Sequence, residues 1–341
     1  TDNFTYKVND GTSYSDIGTV SLSVNFPKFY VTFGGSNGSE EVESLNKSPD
    51  GGYSLFGYTG SFGSAGSLDW YFVKTDALGN EEFSKTYGGV GNDKSKASIV
   101  TSDGNYVVVG YSNSSNGDMN IMKIDASGNE IWTKSYNEII DRIVFKAVNE
   151  TSNGDFIIAG RYFEIIRINS SGEKIWNRQF NGGGFNINSS TDNEFESVYE
   201  DSEGNLVFAG DGSTQNNGRQ IILLKTNSSG DDIWLKTFGG SQNDYAESTI
   251  MTSDGGYLIA GTTYSFGAGD ADGYLIKTDS AGNELWSQTY GESETEAIER
   301  VIESTNGGYI FTGVKEAPSG GPSGLWLVKV DDSGNEEWSK T

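Results

Sequence analysis

The feature that most constrains this chain is a unit of about 50 residues that occurs six times. One element of the unit, Lys277-Thr-Asp-Ser-Ala-Gly-Asn-Glu-Leu-Trp286, recurs at intervals of 49, 44, 58, 52 and 52 residues, measured between its internal glycines. Those glycines are Gly79, Gly128, Gly172, Gly230, Gly282 and Gly334. A second element, Asp254-Gly-Gly-Tyr-Leu-Ile-Ala-Gly261, also recurs six times. Such a period indicates one supersecondary unit that stacks against its own copies.

Each unit is predicted to contain four short strands, A to D, because its apolar runs are too short for helices and show no helical period. In the fifth unit the strands are predicted at 246–252, 257–260, 274–278 and 286–290. Asp-Gly and Asn-Gly pairs between strands A and B favour a hairpin. The Asp-x-x-Gly-Asn segment between strands C and D favours a short loop with glycine at positive φ.

Four-stranded sheets of this size protect their faces and edges when they pack radially around an axis. We therefore predict an all-β fold, a six-bladed β-propeller of four-stranded blades over residues 27–341, with an open solenoid as the alternative. The strand D pattern occurs a seventh time at Phe29 to Phe33, followed by Gly34-Gly35. Either this early strand or Glu336 to Thr341 completes the sixth blade; alternatively, the native protein continues past Thr341 into a seventh blade.

The composition excludes several classes of function. With 23 basic and 48 acidic residues the net charge is −25, so the surface repels phosphate backbones and we expect no nucleic-acid partner. The chain has no cysteine and no histidine. It therefore lacks thiolate nucleophiles, the commonest general base and the commonest transition-metal ligand. No apolar run is long enough for membrane insertion, and the free carboxylates suit Ca²⁺.

The repeated Tyr-Gly-Gly, Asp-Gly-Gly-Tyr and Lys-Thr-Asp-x-x-Gly-Asn-x-x-Trp elements resemble the kelch-like and WD40-like propeller repeats of bacterial and archaeal surface proteins. The resemblance covers about residues 29 to 341, and the third unit departs most, with Arg167 for lysine and Asn169 for aspartate. It implies the propeller fold and says little about chemistry, because the matching residues build blades.

Residues 1–26 differ from the repeat. The stretches 3–11 and 18–25 resemble the end of a cadherin-like (VCBS-type) domain, which is an immunoglobulin-like sandwich. The resemblance implies that residues 1–26 form a short β-hairpin remnant of such a sandwich. It also implies upstream tandem sandwich domains in the full-length protein and an extracellular location, either at the cell surface or secreted.

Two charged positions recur in every unit. The strand C position holds Lys74, Lys123, Arg167, Lys225, Lys277 and Lys329, each two residues before an aspartate or asparagine. We interpret these as structural pairs with the cation's stem packed between blades, rather than as a cationic ring. The strand A position holds Glu43, Lys96, Lys146, Glu196, Glu247 and Glu299. Its mixed signs predict mutual neutralisation; a cation site or a glycosidase-like pair of carboxylates is the alternative.

The loops indicate where a ligand binds. The B–C and D–A connections share one end of an up-down-up-down blade, and these connections vary in length. The predicted binding face carries Asp69, Trp70, Asp93, Asp118, Phe185, Asp244, Tyr245, Tyr264 and Phe266. Asp270 and Asp272 are a candidate Ca²⁺ pair, although the stretch lacks the other EF-hand positions and also fits a polar surface loop.

No Gly-x-Ser-x-Gly elbow, P-loop or histidine-based metal motif is present. We therefore expect an extracellular binding or adhesion module that recognises a glycan or a protein, and not an enzyme. The alternatives are a structural subunit or spacer of a surface layer or filament, and a carboxylate-based glycan hydrolase or lyase.

Overall fold

The fold is all-β, and six blades of four antiparallel strands each form a propeller ring. The computed structural model describes residues 2–6, 18–22, 32–35, 38–63, 67–113, 119–136, 144–181, 193–214, 218–317 and 321–341. Within these ranges every regular element is a strand. In the same residues no helix is long and apolar enough to cross a membrane.

The strands follow one another along the chain in the order of the repeat. Strands β1 (Asp2–Tyr6) and β2 (Gly18–Leu22) pair antiparallel. Blade 1 contains β3 (Glu40–Lys47), β4 (Tyr53–Thr59), β5 (Asp69–Thr75) and β6 (Glu81–Tyr87). Blade 2 contains β7 (Asp93–Val100), β8 (Tyr106–Ser112), β9 (Met119–Ile124) and β10 (Glu130–Ser135). Blade 3 contains β11 (Phe145–Glu150), β12 (Phe156–Gly160), β13 (Glu164–Ile168) and β14 (Lys174–Gln179).

The last three blades have the same order. Blade 4 contains β15 (Glu194–Glu200), β16 (Leu206–Ser213), β17 (Arg219–Thr226) and β18 (Asp232–Phe238). Blade 5 contains β19 (Asp244–Met251), β20 (Tyr257–Thr263), β21 (Asp272–Thr278) and β22 (Glu284–Tyr290). Blade 6 contains β23 (Glu296–Glu303), β24 (Tyr309–Ala317), β25 (Gly321–Val330) and β26 (Glu336–Lys340). The final strand therefore completes the sixth sheet.

Strand A of each blade lies nearest the axis, since strands β3, β7, β11, β15, β19 and β23 contact one another in succession. The predicted strand positions of the fifth unit are confirmed, and the strands extend a few residues further toward the B–C end. The predicted hairpin in residues 1–26 corresponds to the β1–β2 pair. Its cadherin-like origin stays a prediction.

The C–D turns are fixed by the side chain of their first residue, which is aspartate in four blades and asparagine (Asn169 and Asn227) in blades 3 and 4. In blade 5 the Asp279 carboxylate accepts the backbone N–H groups of Ala281 at 2.9 Å and Asn283 at 2.8 Å. Gly282 adopts φ 74°, a left-handed conformation that glycine reaches without steric cost. The Asp279 carboxylate is therefore occupied by hydrogen bonds within its own turn.

The strand C cation bonds instead to the A–B turn. Lys277 is buried, and its Nζ lies 2.8 Å from Asp254 Oδ2 and donates to the Thr278 carbonyl at 2.9 Å. Four other blades repeat the contact, in the pairs Lys74–Asp50, Lys123–Asp103, Arg167–Asp155 and Lys225–Asp201. The structural role predicted for this position is confirmed, but its partner is the A–B turn aspartate.

Aromatic residues of strand D join consecutive blades. Trp286 Nε1 donates to the Asp332 carbonyl of the next C–D turn at 3.1 Å, and the Tyr290 hydroxyl donates to the Gly334 carbonyl at 2.6 Å. A Cβ on Gly334 would overlap the Trp286 ring. Strand D of one blade therefore fits against the glycine turn of the next, while buried apolar clusters fill the space between the sheets.

The Lys277–Asp254 contact predicts a pH-dependent stability. Burial alone would raise the pKa of Asp254, but hydrogen bonds from Lys277 and Thr252 lower it to about 2, against an ordinary 3.8. The ionised carboxylate therefore stabilises the folded state above pH 3.8, and this contribution is lost as the pH falls through about 2. We expect Asp254→Asn to lower the free energy of unfolding at pH 7 by about 1 kcal/mol.

Urea unfolding at pH 7, 4 and 2.5 measures this contribution. The deficit of Asp254→Asn should shrink as the pH falls. Asp270→Asn, at an exposed loop carboxylate, should stay within about 0.5 kcal/mol of the parent throughout. If Asp254→Asn lowered the free energy of unfolding as much at pH 2.5 as at pH 7, the lowered pKa of Asp254 would be contradicted.

Candidate functional site on the loop face

The B–C and D–A connections lie together at one end of the ring, which we call the loop face. Backbone bonds tie these connections across blade boundaries. Asp93 N donates to the Leu68 carbonyl at 2.6 Å, and Glu296 N donates to the Ala271 carbonyl at 2.9 Å. The start of strand A in one blade is thus fixed to the start of strand C in the blade before it.

Asp244 anchors the loop face at blade 5. Its carboxylate is buried and accepts hydrogen bonds from Thr263 Oγ1, from Ser265 Oγ at 2.8 Å and from Gly240 N at 2.9 Å. These partners belong to the B–C connection of blade 5 and to the D–A turn before it. Glu40 occupies the same position in blade 1 and accepts from Thr59 Oγ1 at 2.8 Å.

The predicted residues of blades 1 and 2 are also largely enclosed. Asp69, Trp70 and Asp93 are buried. Trp70 Nε1 donates to the Tyr111 carbonyl at 3.3 Å, and the Asp93 carboxylate accepts from Gly89 N at 3.0 Å. These side chains hold the connections in place from below the surface. Asp118 and Phe185, from the same predicted set, lie outside the described residues.

Two of the predicted aromatic residues are exposed on the loop face. Tyr264 and Phe266 are 42% and 46% accessible to solvent, although they belong to one firmly anchored connection. The Tyr264 ring packs edge-on against Tyr245 at 6.1 Å, and the Phe266 ring lies 5.8 Å from Tyr274. Exposed aromatic surface held in a fixed orientation is suited to binding, since little conformational entropy is lost.

Phe62 is an exposed aromatic of the same kind that was not predicted from the sequence. It is half exposed in the B–C connection of blade 1 and lies 5.6 Å from the Tyr71 ring. The signal was present in the sequence, because 59–63 and 263–267 share the pattern Thr-x-Ser-Phe-Gly. Both phenylalanines follow a threonine whose hydroxyl accepts their backbone N–H.

Asp270 and Asp272 have different environments. Asp270 is exposed, whereas Asp272 is buried and its carboxylate fills the space above Gly267 and Gly291. Burial, and then the nearby Glu296, raise the pKa of Asp272. In the described part of the chain, no three or more Asp or Glu side chains are grouped so as to hold a metal ion.

The strand A charges near the axis are partly neutralised in pairs. Lys96 contacts Glu43, and Lys146 contacts both Glu196 and Glu194, the latter at 2.9 Å. Burial opposes protonation of Lys146, but Glu196 and Glu194 outweigh it and raise its pKa. These contacts are the mutual neutralisation that the sequence predicted for this part of the ring.

Glu247 belongs to the acidic side of the same ring. Burial raises the pKa of Glu247 to about 7, and the neighbouring Glu299 and Asp211 carboxylates add to the shift. A half-buried carboxyl group that titrates near neutral pH can hold or release a proton under physiological conditions. This property depends on the surrounding charges and was not visible in the sequence.

A continuous series of contacts runs from Asp211 in blade 4 to the exposed aromatics of blade 5. Arg219 Nε donates to Asp211 Oδ2 at 2.6 Å, and both side chains are largely buried. The guanidinium carbon lies 5.0 Å from the centre of the Tyr245 ring, which in turn packs against Tyr264. The cation therefore fixes the aromatic rim of blade 5 from beneath, in a cation–π arrangement.

Blade 3 has a much shorter B–C connection than blade 5. Tyr162 and Phe163 turn the chain with φ of 59° and 54°, an unfavourable conformation for residues other than glycine. Phe163 is buried 4.9 Å from the Phe195 ring, and this packing compensates for the strain. The Arg161 side chain beside the turn remains partly exposed, 3.4 Å from Glu194.

Comparisons with known proteins support the fold. No protein family model and no curated protein matches this chain. The WD40 domain of Neurospora crassa Pan2 is 10% identical with a TM-score of 0.53, covering 86% of this chain and 76% of that chain. An ulvan lyase of polysaccharide lyase family PL25 is 11% identical with a TM-score of 0.57, covering 91% and 83%. BamB from Moraxella catarrhalis is 13% identical with a TM-score of 0.45, covering 86% and 83%. At these identities the first two similarities concern the fold alone.

Asp244 and Tyr264 are expected to differ sharply in their effect on stability. Asp244→Ala leaves the hydroxyl of Thr263 and the N–H of Gly240 without their acceptor in a buried site, so we expect a loss of about 2–4 kcal/mol. Tyr264→Ala removes an exposed ring and should cost less than about 1 kcal/mol. Urea unfolding at pH 7 compares the two; a larger loss for Tyr264→Ala would show that Asp244 is not the anchor.

Glu247 predicts a second pH effect, of opposite sign to that of Asp254. Its pKa of about 7 lies above the ordinary 4.5, so the folded state binds more protons than the unfolded state between these values. Stability should therefore fall as the pH rises from about 4.5 to about 7. Glu247→Gln should flatten this decline in the urea midpoint, whereas Glu316→Gln, at an exposed carboxylate, should leave it unchanged. If the urea midpoint of Glu247→Gln fell with rising pH as steeply as that of the parent, the raised pKa of Glu247 would be refuted.

Proposed function

We propose that this protein is a binding module that recognises a glycan through the loop face of its propeller. The observation that carries the proposal is the exposed aromatic pair Tyr264 and Phe266 on a connection anchored by Asp244. Aromatic rings stack on the C–H faces of sugar rings, and neighbouring polar groups bond to the hydroxyl groups. A rigid presentation lowers the entropic cost of binding.

The surroundings of the aromatic pair suit a polar ligand better than an apolar one. Asp211 and Arg219 lie behind Tyr245, and Gln220 Nε2 donates to the Gly240 carbonyl at 3.0 Å beside the same rim. Apolar patches with a few oriented polar groups are typical of ligand sites. The extracellular location and the adhesion role belong to this proposal and rest on the resemblance of the repeats and of residues 1–26.

A glycan lyase or hydrolase is the second candidate function. It is favoured by Glu247, whose carboxyl group titrates near neutral pH beside Glu299 and Asp211. Such a group is suited to general acid–base catalysis on a polysaccharide that enters the mouth of the ring. The similarity to an ulvan lyase is compatible with this candidate and adds no more than the shared fold. A structural spacer in a surface layer or filament is the third candidate.

The binding proposal is tested on a glycan array, with and without Ca²⁺, followed by titration calorimetry on the best ligand. The double variant Tyr264→Ala/Phe266→Ala should bind at least about tenfold more weakly, because each stacked ring contributes on the order of 1 kcal/mol. Leu285→Ala is the matched control, since Leu285 is an exposed apolar residue of the same blade near its C–D turn, at the opposite end. It should bind like the parent.

The three candidates give different results. Equal affinity in the double variant and the parent would remove the aromatic pair from the site. Release of new chain ends from a polysaccharide, abolished in Glu247→Gln, would establish the enzyme. Regular self-assembly in electron micrographs without glycan binding would favour the spacer.

A further inference from the structure

Arg161 is a cation at a position where the other five blades carry none, directly after the glycine at the end of strand B. Its counterparts are Tyr58, Tyr111, Asp211, Thr262 and Val314. Tyr58, Asp211 and Thr262 are buried, whereas the Arg161 side chain is 42% exposed. The loop face of blade 3 therefore presents a positive charge at a position that is neutral or acidic in the other blades.

The short B–C connection of blade 3 holds Arg161 in place and leaves it accessible. Strands β12 and β13 are joined by 161–163, whereas β20 and β21 of blade 5 are joined by 264–271. The turn is fixed from a neighbouring blade, because Tyr162 N donates to the Asn193 carbonyl at 2.6 Å. A side chain on a fixed turn loses less conformational entropy when it binds a ligand.

The guanidinium of Arg161 shares its carboxylate with two other cations. Glu194 faces Lys146 Nζ at 2.9 Å, Arg161 Nε at 3.4 Å and Arg219 Nη2 at 3.9 Å. Lys146 and Arg219 each contact one further carboxylate. Arg161 has no second carboxylate among the described residues, and its buried Nε has no hydrogen-bond partner there. Arg161 is therefore the cation of this cluster whose hydrogen-bond donors are left for a ligand.

Burial also reduces the negative charge of this cluster near neutral pH. It raises the pKa of Asp211 to about 7, against the opposing effect of Arg219. It likewise raises the pKa of Glu196, in spite of the contact with Lys146. Both carboxyl groups are thus partly protonated at pH 7, so that the cations exceed the ionised carboxylates. This surplus favours an anionic group beside Arg161.

The same face carries the aromatic pair of the proposed glycan site. The Arg219 guanidinium that faces Glu194 also lies 5.0 Å from the Tyr245 ring, which packs against Tyr264 at 6.1 Å. Arg161 in blade 3 and Tyr264 in blade 5 are thus linked through side chains of blades 4 and 5. A ligand that contacts both residues crosses blade 4, which suits an oligosaccharide rather than a single sugar.

We propose that the glycan bound by the loop face is acidic and that Arg161 binds its anionic substituent, a uronate carboxylate or a sulfate ester. This inference rests on the proposed function, because it adds a second contact to the same site. A planar guanidinium donates two parallel N–H bonds to two oxygens of either group. The net charge of −25 repels anions at long range, but salt of about 0.1 M screens that repulsion beyond about 10 Å. The selectivity therefore comes from direct contact.

A glycan array of matched pairs tests the inference. Oligogalacturonate is paired with its methyl ester, and carrageenan oligosaccharides are paired with their desulfated form, so that the members of each pair differ in charge. In titration calorimetry the parent should bind the acidic member of its best pair at least about tenfold more tightly, because hydrogen bonds to charged groups are the stronger ones. The pair that responds shows whether the anionic group is a carboxylate or a sulfate.

Variants of Arg161 assign the preference to this residue. Arg161→Gln should abolish the preference and leave the affinity for the neutral member within about twofold of the parent. Arg161→Lys retains the charge but not the planar pair of donors, so it should retain part of the preference. A merely structural role would lower both affinities together and leave their ratio unchanged.

Arg178→Gln is the matched control. The Arg178 side chain is 47% exposed and contacts Asp231 at 2.9 Å, and its Nε donates to the C–D turn of blade 4, at the end opposite the loop face. It should keep the full preference for the acidic member. The double variant Tyr264→Ala/Phe266→Ala should instead weaken binding of both members alike.

The failure of the inference differs from the failure of the proposed function. Equal affinity for both members of every pair, or a preference that survives in Arg161→Gln, would overturn the inference and leave glycan binding intact. Absence of binding to every glycan on the array would remove the proposed function and the inference with it.

Discussion

The fold depends on the contact between strand D of one blade and the C–D turn of the next. A four-stranded sheet has two apolar faces and cannot bury both alone. The hydrogen bond from Tyr290 to Gly334, and the Trp286 ring lying where a Cβ on Gly334 would be, set the distance and angle between consecutive sheets. The buried clusters then fill the space that this contact defines.

Much of the fold could be predicted because its signals are local and repeated. Asp279, Gly282 and their counterparts mark every C–D turn, and apolar runs such as 257–260 mark strand B. Each of these patterns alone predicts a turn or strand only weakly, but six copies at the same place in the repeat predict the fold strongly. The sequence could not identify the partner of Lys277, since the competition between Asp254 and Asp279 is decided by the hydrogen bonds inside the C–D turn.

The candidate site was less predictable because burial of a loop residue depends on another blade. Asp244 and Asp270 are both loop aspartates in sequence, yet Asp244 is enclosed by the preceding D–A turn and Asp270 is exposed. The raised pKa of Glu247 likewise arises from burial, to which two carboxylates on other strands add. Tyr264 and Phe266 of the predicted binding face are exposed, and the equally exposed Phe62 was not predicted although its local pattern is the same.

The anchoring of the loop bases has an evolutionary consequence. Asp244 binds the first residues of its B–C connection and the turn before it, and Glu40 does the same in blade 1. The bonds of Asp244 itself end at Ser265, and the tip of the connection at 268–270 is exposed. Insertions, deletions and exchanges at the tips therefore leave the blades' packing unchanged, so that such a scaffold can acquire a new ligand by altering a few residues in one connection at a time.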